Sequence, residues 1–381
     1  MPSGNAFEET VAVKPTNPNN ITDHAPLLHH ARAGVPQAVC FLLCLPCHAG
    51  YAGSAEGERE MAVRFGVFVP QGWRMDLVEI PDPIEKYEAM TRAARAADAE
   101  EGWDSIWVFD HFHTVPRPEL ETTFECWTIT ATLARDTRRV KVGQMVTCNG
   151  YRNPALLAKI ASTVDVASHG RLYVGIGAGW YEHEWRAYGY GFPETRERMR
   201  RFREGVEIIH KMWTEDYPTF HGTYYSIDRP INEPRGVQKP HPPLWIGGGG
   251  ERVTLKLVAQ WGDACNVGGD LDTVRHKLDV LRRHCDDVGR NYDEIIKSTG
   301  VGVHLIESEA TAEQETARAR GEQSYEEYAK TTIVGTPQRV RERLQPYLDA
   351  GIDYFIVSIP RNGYDPGPQT RFAREVVPLF T

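Results

Sequence analysis

The sequence predicts an α/β fold, a (β/α)8 barrel of the TIM type, and three observations predict it. Apolar runs of strand length alternate with amphipathic helical segments eight times between residues 61 and 381. Alternation of that kind builds a parallel sheet, and eight such units are what a closed barrel needs. The runs, of which Ser105-Ile106-Trp107-Val108-Phe109 is typical, lack polar alternation, as expected of strands covered on both faces. Several of them end in polar or glycine clusters, and none opens into a Gly-x-Gly-x-x-Gly fingerprint with an acid about twenty residues on. That disfavours an open doubly wound sheet.

The elements follow in order. Residues 63–69 read as a first strand, stopped by Pro70-Gln71-Gly72. Ile84, Tyr87, Met90, Ala94 and Ala97 then fall at helical spacing. The second strand is 105–109, followed by a helix over 125–134 and a third strand over 140–147. Asn153-Pro154 places a cap and a proline at the first turn of the next helix. Strand four, 172–176, runs into Gly177-Ala178-Gly179-Trp180, and a long helix carries Met199, Phe202, Val206, Ile209 and Trp213 inward. Residues 214–243 hold six prolines and four aromatics without a period, which predicts an insertion between strands four and five, with a hairpin near 220–225 and the role of a partial lid. Strand five, 244–246, enters Gly247 to Gly250. Strands six (264–266), seven (297–305) and eight (354–358) follow, with helices over 274–288 and 337–350.

The bulk numbers narrow the function. The chain has 381 residues, 41% hydrophobic and 25% charged, with a net charge of −9 and no blocks of basic residues. Nucleic-acid binding is not expected of such a chain. No stretch is long and apolar enough to predict a membrane span. The seven cysteines are odd in number and lack framework spacing, which suits a reducing, cytoplasmic compartment. Residues 1–60 differ in composition from the rest and read as an extension ahead of the barrel, with Met61 as a plausible start. Cys40, Cys44 and Cys47 in that stretch have cluster-like spacing, but only apolar residues and a proline lie between them, so an iron–sulfur site is not expected.

Chemistry in parallel barrels collects at the C-terminal ends of the strands. There the sequence puts Asp110-His111 after strand two, Thr147-Cys148-Asn149 after strand three, Gly177-Ala178-Gly179 after strand four and Gly247-Gly248-Gly249 after strand five. Imidazole titrates near neutral pH, so His111 beside Asp110 suits proton transfer or ring binding. Glycine turns let backbone N–H groups approach an anion, and two on neighbouring strands suit a ligand with a phosphate and a flat ring. His111-Phe112-His113 has the spacing of a metal pair, yet later strands supply no further ligands, so no metal is expected. After the strand-four glycines, Glu182 and His183 stand within reach of the same rim.

Several segments carry a resemblance. They are Phe65-Gly66-Val67-Phe68-Val69-Pro70-Gln71, Trp107-Val108-Phe109-Asp110-His111-Phe112, Tyr151-Arg152-Asn153-Pro154, Gly170-Arg171-Leu172 through Gly179-Trp180-Tyr181, Pro242-Pro243-Leu244-Trp245-Ile246-Gly247-Gly248-Gly249-Gly250, and Val334-Gly335-Thr336-Pro337. In this order the sequence resembles the bacterial luciferase-like superfamily, and within it the coenzyme F420-dependent oxidoreductases. The resemblance implies a deazaflavin, or FMN as the alternative, across the mouth of the barrel. It implies that Asp110 and His111 approach the ring with His111 catalytic, and that a non-prolyl cis peptide lies around Thr147 to Asn149. It further implies that Gly177 to Gly179, His183 and Gly247 to Gly249 hold the cofactor, and that the partner is a small-molecule substrate. A homodimer is compatible with it. An FMN monooxygenase and a non-catalytic flavin-binding barrel are the alternatives on the same fold. Some relatives carry a proton-donating glutamate where this chain has Trp180, so Glu182 becomes a candidate donor beside His111.

Overall fold

The computed structural model describes residues 63–380. The predicted extension and its three cysteines lie outside them. Eight parallel strands close on themselves: β1 (Arg64–Phe68), β2 (Ser105–Val108), β3 (Lys141–Gln144), β4 (Leu172–Gly177), β5 (Leu244–Gly247), β6 (Ala264–Asn266), β7 (Ile296–Leu305) and β8 (Tyr354–Ser358). Each pairs with its neighbours in chain order, from β1–β2 through β6–β7 and β7–β8. The register of β8 against β1, Tyr354 with Arg64 and Val357 with Val67, shuts the ring.

Helices α1 (Pro83–Asp98), α2 (Cys126–Asp136), α3 (Pro154–Ala167), α4 (Glu182–Ala187), α5 (Thr195–Thr214), α6 (Thr254–Trp261), α7 (Leu271–Val288), α8 (Ala312–Arg320), α9 (Tyr325–Thr331), α10 (Pro337–Asp349) and α11 (Gly367–Glu375) occupy the connections. The predicted start at Asn153 is there, with its side-chain oxygen accepting from the Ala155 N–H at 2.9 Å. No helix among the described residues is long and apolar enough to cross a membrane.

Two packing layers hold the barrel. Between strands and helices lies the larger apolar core, while Trp107, Tyr173, Trp245 and Tyr354 fill the barrel itself. Trp107 and Trp245 meet edge-on at 4.7 Å between centroids. Gly66 and Gly143 on the flanking strands make room for Trp107; a Cβ at Gly143 would come within 2.5 Å of its ring. The tryptophans thus plug the barrel below, and the open end lies above β2, β4 and β5.

The structure departs from the predicted elements in three places. Strand three is not continuous to Thr147: β3 ends at Gln144, the non-prolyl cis peptide is Met145–Val146 rather than within Thr147 to Asn149, and a two-residue strand, Thr147–Cys148, rejoins β4. Residues 306–336, unassigned by periodicity, contain α8, α9 and a short strand, Thr332–Gly335, paired with the end of β7. Residues 214–243 do include an antiparallel hairpin, Thr219–His221 with Ser226–Asp228. They pack on α3 and α5, however. Asn232 donates to the Ser162 hydroxyl and the Met212 carbonyl, both at 3.0 Å, and Asp165 accepts from the Val237 and Gln238 N–H groups. They line neither cavity at the mouth, so the expected lid is not where this segment lies. The walls come from the segments after β1, β2, β4, β7 and β8.

Candidate active site

At the mouth a cavity of about 360 Å³ opens between the ends of β2, β3, β4 and β5. Its walls combine Trp73, Phe109, His111, Trp180 and Tyr181 with Gly177, Gly179, Gly247 and Gly248, and Met145 and Val146 form part of its lining. Aromatic faces and bare backbone make a slot for a flat ring.

His111 is the titratable side chain best placed to act there. Trp73 stacks on the imidazole with centroids 4.3 Å apart and planes 9° from parallel. Its Nδ1 lies 2.9 Å from Oε2 of Glu184, whose side chain is wholly buried. The same oxygen accepts from the Tyr151 hydroxyl at 2.8 Å, and Oε1 accepts from the N–H groups of Phe112 and His113 at 2.8 and 2.9 Å. Burial alone would raise the Glu184 carboxyl, but the His111 contact and these donors hold it below the usual carboxylate range. An ionised carboxylate only accepts, so Nδ1 carries the hydrogen and Nε2 is left for chemistry.

Asp110, next in the chain, faces a different partner. Arg152 grips it with two hydrogen bonds, 2.7 and 3.0 Å, and the Cys148 N–H donates at 2.8 Å. Arg152 also bonds to Glu125 at the N-cap of α2. Burial pushes the Asp110 carboxyl up against the pull of Arg152; Asp110 holds the guanidinium well above its usual range. Both of its oxygens accept from groups inside the protein, so Asp110 braces the β2 and β3 ends at the edge of the cavity it helps to line.

The other sequence candidates divide by where the strands carry them. Cys148 lines the cavity as a thiol, since burial pushes it far up. Gly177, Ala178, Gly179, Gly247 and Gly248 line it too. Thr147 does not: its hydroxyl accepts from Trp127 Nε1 at 3.1 Å, on the helix side of the strand. Asn149 is buried against Tyr225, and Gly249 faces Lys277. Glu182 and His183 are exposed on the outer side of α4, where Glu182 pairs with Arg186 at 2.7 Å. Neither is among the residues lining the cavity; the His183 ring packs on His113 and Tyr181, with centroids 5.0 and 5.9 Å away. Glu184, two residues on, holds the imidazole instead.

Glu184, Tyr151 and Trp73 were not among the sequence candidates. One signal for Glu184 was available: on a helix, Tyr181 and Tyr188 fall at i−3 and i+4 from it, so the acid sits on an aromatic face. An acid on such a face is buried with a partner or not there at all.

The cavity also meets a test for a bound ring. Gly248 has φ +118°, a conformation side chains rarely adopt, and a Cβ there would meet only Thr254 Cγ2 at 3.6 Å. Its missing side chain therefore leaves open space on the cavity wall, a cradle that any other residue would partly fill.

Comparison with known proteins agrees with this fold. Residues 63–328 match the family model described as luciferase-like monooxygenase. The F420-dependent glucose-6-phosphate dehydrogenase of Kineococcus radiotolerans is 32% identical over 313 residues, 74% of this chain and 90% of that protein. The FMNH(2)-dependent dimethylsulfone monooxygenase of Pseudomonas putida is 27% identical over 265 residues, 61% and 72% of the two chains. Among solved structures, an F420-dependent secondary alcohol dehydrogenase in complex with an F420–acetone adduct superposes with a TM-score of 0.71 at 19% identity, covering 84% of this chain and all of that one, a likeness of fold.

Proposed function

The chain belongs to the luciferase-like monooxygenase family, and from that premise we propose that it is a coenzyme F420-dependent oxidoreductase acting on a small organic substrate. One observation carries the reading: a buried imidazole–carboxylate pair opens onto a slot walled by aromatic rings and bare glycine backbone. Relatives named as F420-dependent at about a third identity support the deazaflavin over FMN.

When bound, the deazaflavin supplies a carbon that accepts or gives a hydride. The chain's own residues do the rest. Gly177, Gly179, Gly247 and Gly248 would hold the ring with their backbone, and Met145 and Val146 line the same slot. His111 holds or moves the proton that accompanies the hydride, at Nε2. Glu184 keeps the other ring nitrogen protonated and steadies the imidazolium form, while Trp73 prevents the ring from turning. Glu184 and Trp73 are positioning residues; His111 is the catalytic one. Trp180, where some relatives carry an acid, lends no proton, which leaves His111 as the donor among the ionisable side chains lining the slot.

Fluorescence titration with oxidised F420 and, separately, FMN tests this. Saturable binding of F420 well below the concentration needed for FMN is expected. Tight FMN binding with no response to F420 would replace the reading by an FMN-dependent monooxygenase.

A further inference from the structure

The mouth has a second chamber, and it is larger. About 750 Å³ opens above β1, β7 and β8 and shares Phe109, Met145 and Asn266 with the first, so the two form one trough. Its lining mixes apolar residues such as Val69, Met75 and Ile359 with four charged ones: Arg74, Asp76, Glu79 and Arg361.

Three of the four are engaged. Arg361 gives its fork to Glu79, with contacts of 2.6 and 2.9 Å, and Arg318 adds a third at 2.9 Å. Asp76 accepts the Gly72 N–H at 2.7 Å, and burial pushes its carboxyl up. Arg74 differs. It is exposed at the rim and makes no hydrogen bond or ion pair among the described residues, though the Asp76 carboxylate acts on it electrostatically; its guanidinium lies over Trp73 and Phe109, 5.0 Å from each ring. Those rings belong to a continuous aromatic stack. Phe68 lies on Phe109 at 4.3 Å, Phe109 meets Trp73 at 4.4 Å, and Trp73 lies on His111 at 4.3 Å. One stack therefore holds both the proton-moving imidazole and an unpaired guanidinium, with the trough alongside.

Resting on the function proposed above, we infer that this chamber is the substrate site and that Arg74 selects a substrate carrying one carboxylate on an apolar or aromatic body. A guanidinium fork matches one carboxylate with two parallel hydrogen bonds. A phosphate ester is a poor match. Its second charge would face Asp76 and Glu79, and Arg361 is already spoken for. The chamber thus separates this chain from relatives named for a sugar phosphate.

Calorimetric titration of the purified protein, alone and saturated with oxidised F420, tests the assignment with benzoate, benzamide, glucose 6-phosphate and glucose as probes. Benzoate is expected to bind, with about 10–100-fold loss in Arg74→Met and partial recovery in Arg74→Lys, the range of one charged hydrogen-bonded pair. Benzamide should bind the wild type at least about tenfold more weakly than benzoate. Glucose 6-phosphate should bind no better than glucose. The inference falls if benzoate does not bind, if Arg74→Met leaves its affinity unchanged, or if glucose 6-phosphate is the tighter ligand. It falls equally if Arg74→Met weakens F420 rather than benzoate, since Arg74 then serves the coenzyme. Failure of the wild type to bind F420 at all would instead count against the proposed function, and the titration of the free protein would still decide the role of Arg74.

Discussion

The two halves of the barrel mouth are wired differently. On the side of β2 to β5, the buried carboxylates are paired within the protein: Glu184 with four donors, Asp110 with Arg152 and a backbone N–H. On the side of β1, β7 and β8, an arginine stands unpaired over aromatic rings in a chamber about twice as large. A half whose buried carboxylates are satisfied before any ligand arrives holds its charged groups preorganised for a constant occupant. A half that leaves a donor free is completed by its ligand. That difference is what the proposals above rest on in placing the coenzyme in the first half and the substrate in the second.

The sharpest way to break this division is at His111. His111→Ala should lower kcat by about 10²–10⁴-fold, the range for a general acid–base group, while F420 titration remains near the wild type. Loss of coenzyme binding with the rate per bound enzyme unchanged would make His111 part of the cradle only. Next in size comes the brace. Arg152→Met leaves the Asp110 carboxylate buried without its cation and should cost about 3–5 kcal/mol in urea unfolding. A cost under about 1 kcal/mol, as for a surface pair, would show that the β2 and β3 ends are held by packing alone.

A smaller effect is expected at Glu184. Glu184→Gln should slow turnover about 10–100-fold through loss of one charged hydrogen bond to His111. Coenzyme affinity and KM should stay near the wild type, whereas a purely structural role would weaken both along with the rate. The carboxyl of Glu184 is held low in the fold, so its pairing stabilises the protein fully above the ordinary carboxylate range. That stability disappears as pH falls through the lowered value, and Glu184→Gln should remove this part of acid unfolding. Smallest is Glu182→Gln, which touches an exposed ion pair and should change stability by less than about 0.5 kcal/mol and leave turnover unchanged.

The contrast between Glu182 and Glu184 marks what the sequence carries and what it does not. The barrel was legible because its signals are local: apolar runs of strand length, glycines at strand ends, and Asn153-Pro154 at a helix start. Asp110 and His111 were legible as residues at a strand end. Their partners were not, since Arg152 and Tyr151 come from the loop after β3 and Glu184 from the helix after β4, and pairing across three strands leaves no mark in spacing. Two acids two residues apart on one short helix, Glu182 and Glu184, differ only in which way the helix turns them. The break in strand three had no pattern either, because Met145 and Val146 are apolar like the strand around them.

Equilibrium titration of oxidised F420 into Gly248→Ala and Arg74→Met, with unfolding curves run alongside, tests the division of the mouth most directly. Gly248→Ala puts a methyl group into the cradle and should weaken the coenzyme about 5–100-fold, the range for overfilling a packed site, while its strain at φ +118° appears in the unfolding curve instead. Arg74→Met should leave coenzyme affinity at the wild-type value. The opposite pattern, coenzyme lost with Arg74 and retained with Gly248→Ala in a folded protein, would contradict the account and exchange the occupants of the two halves.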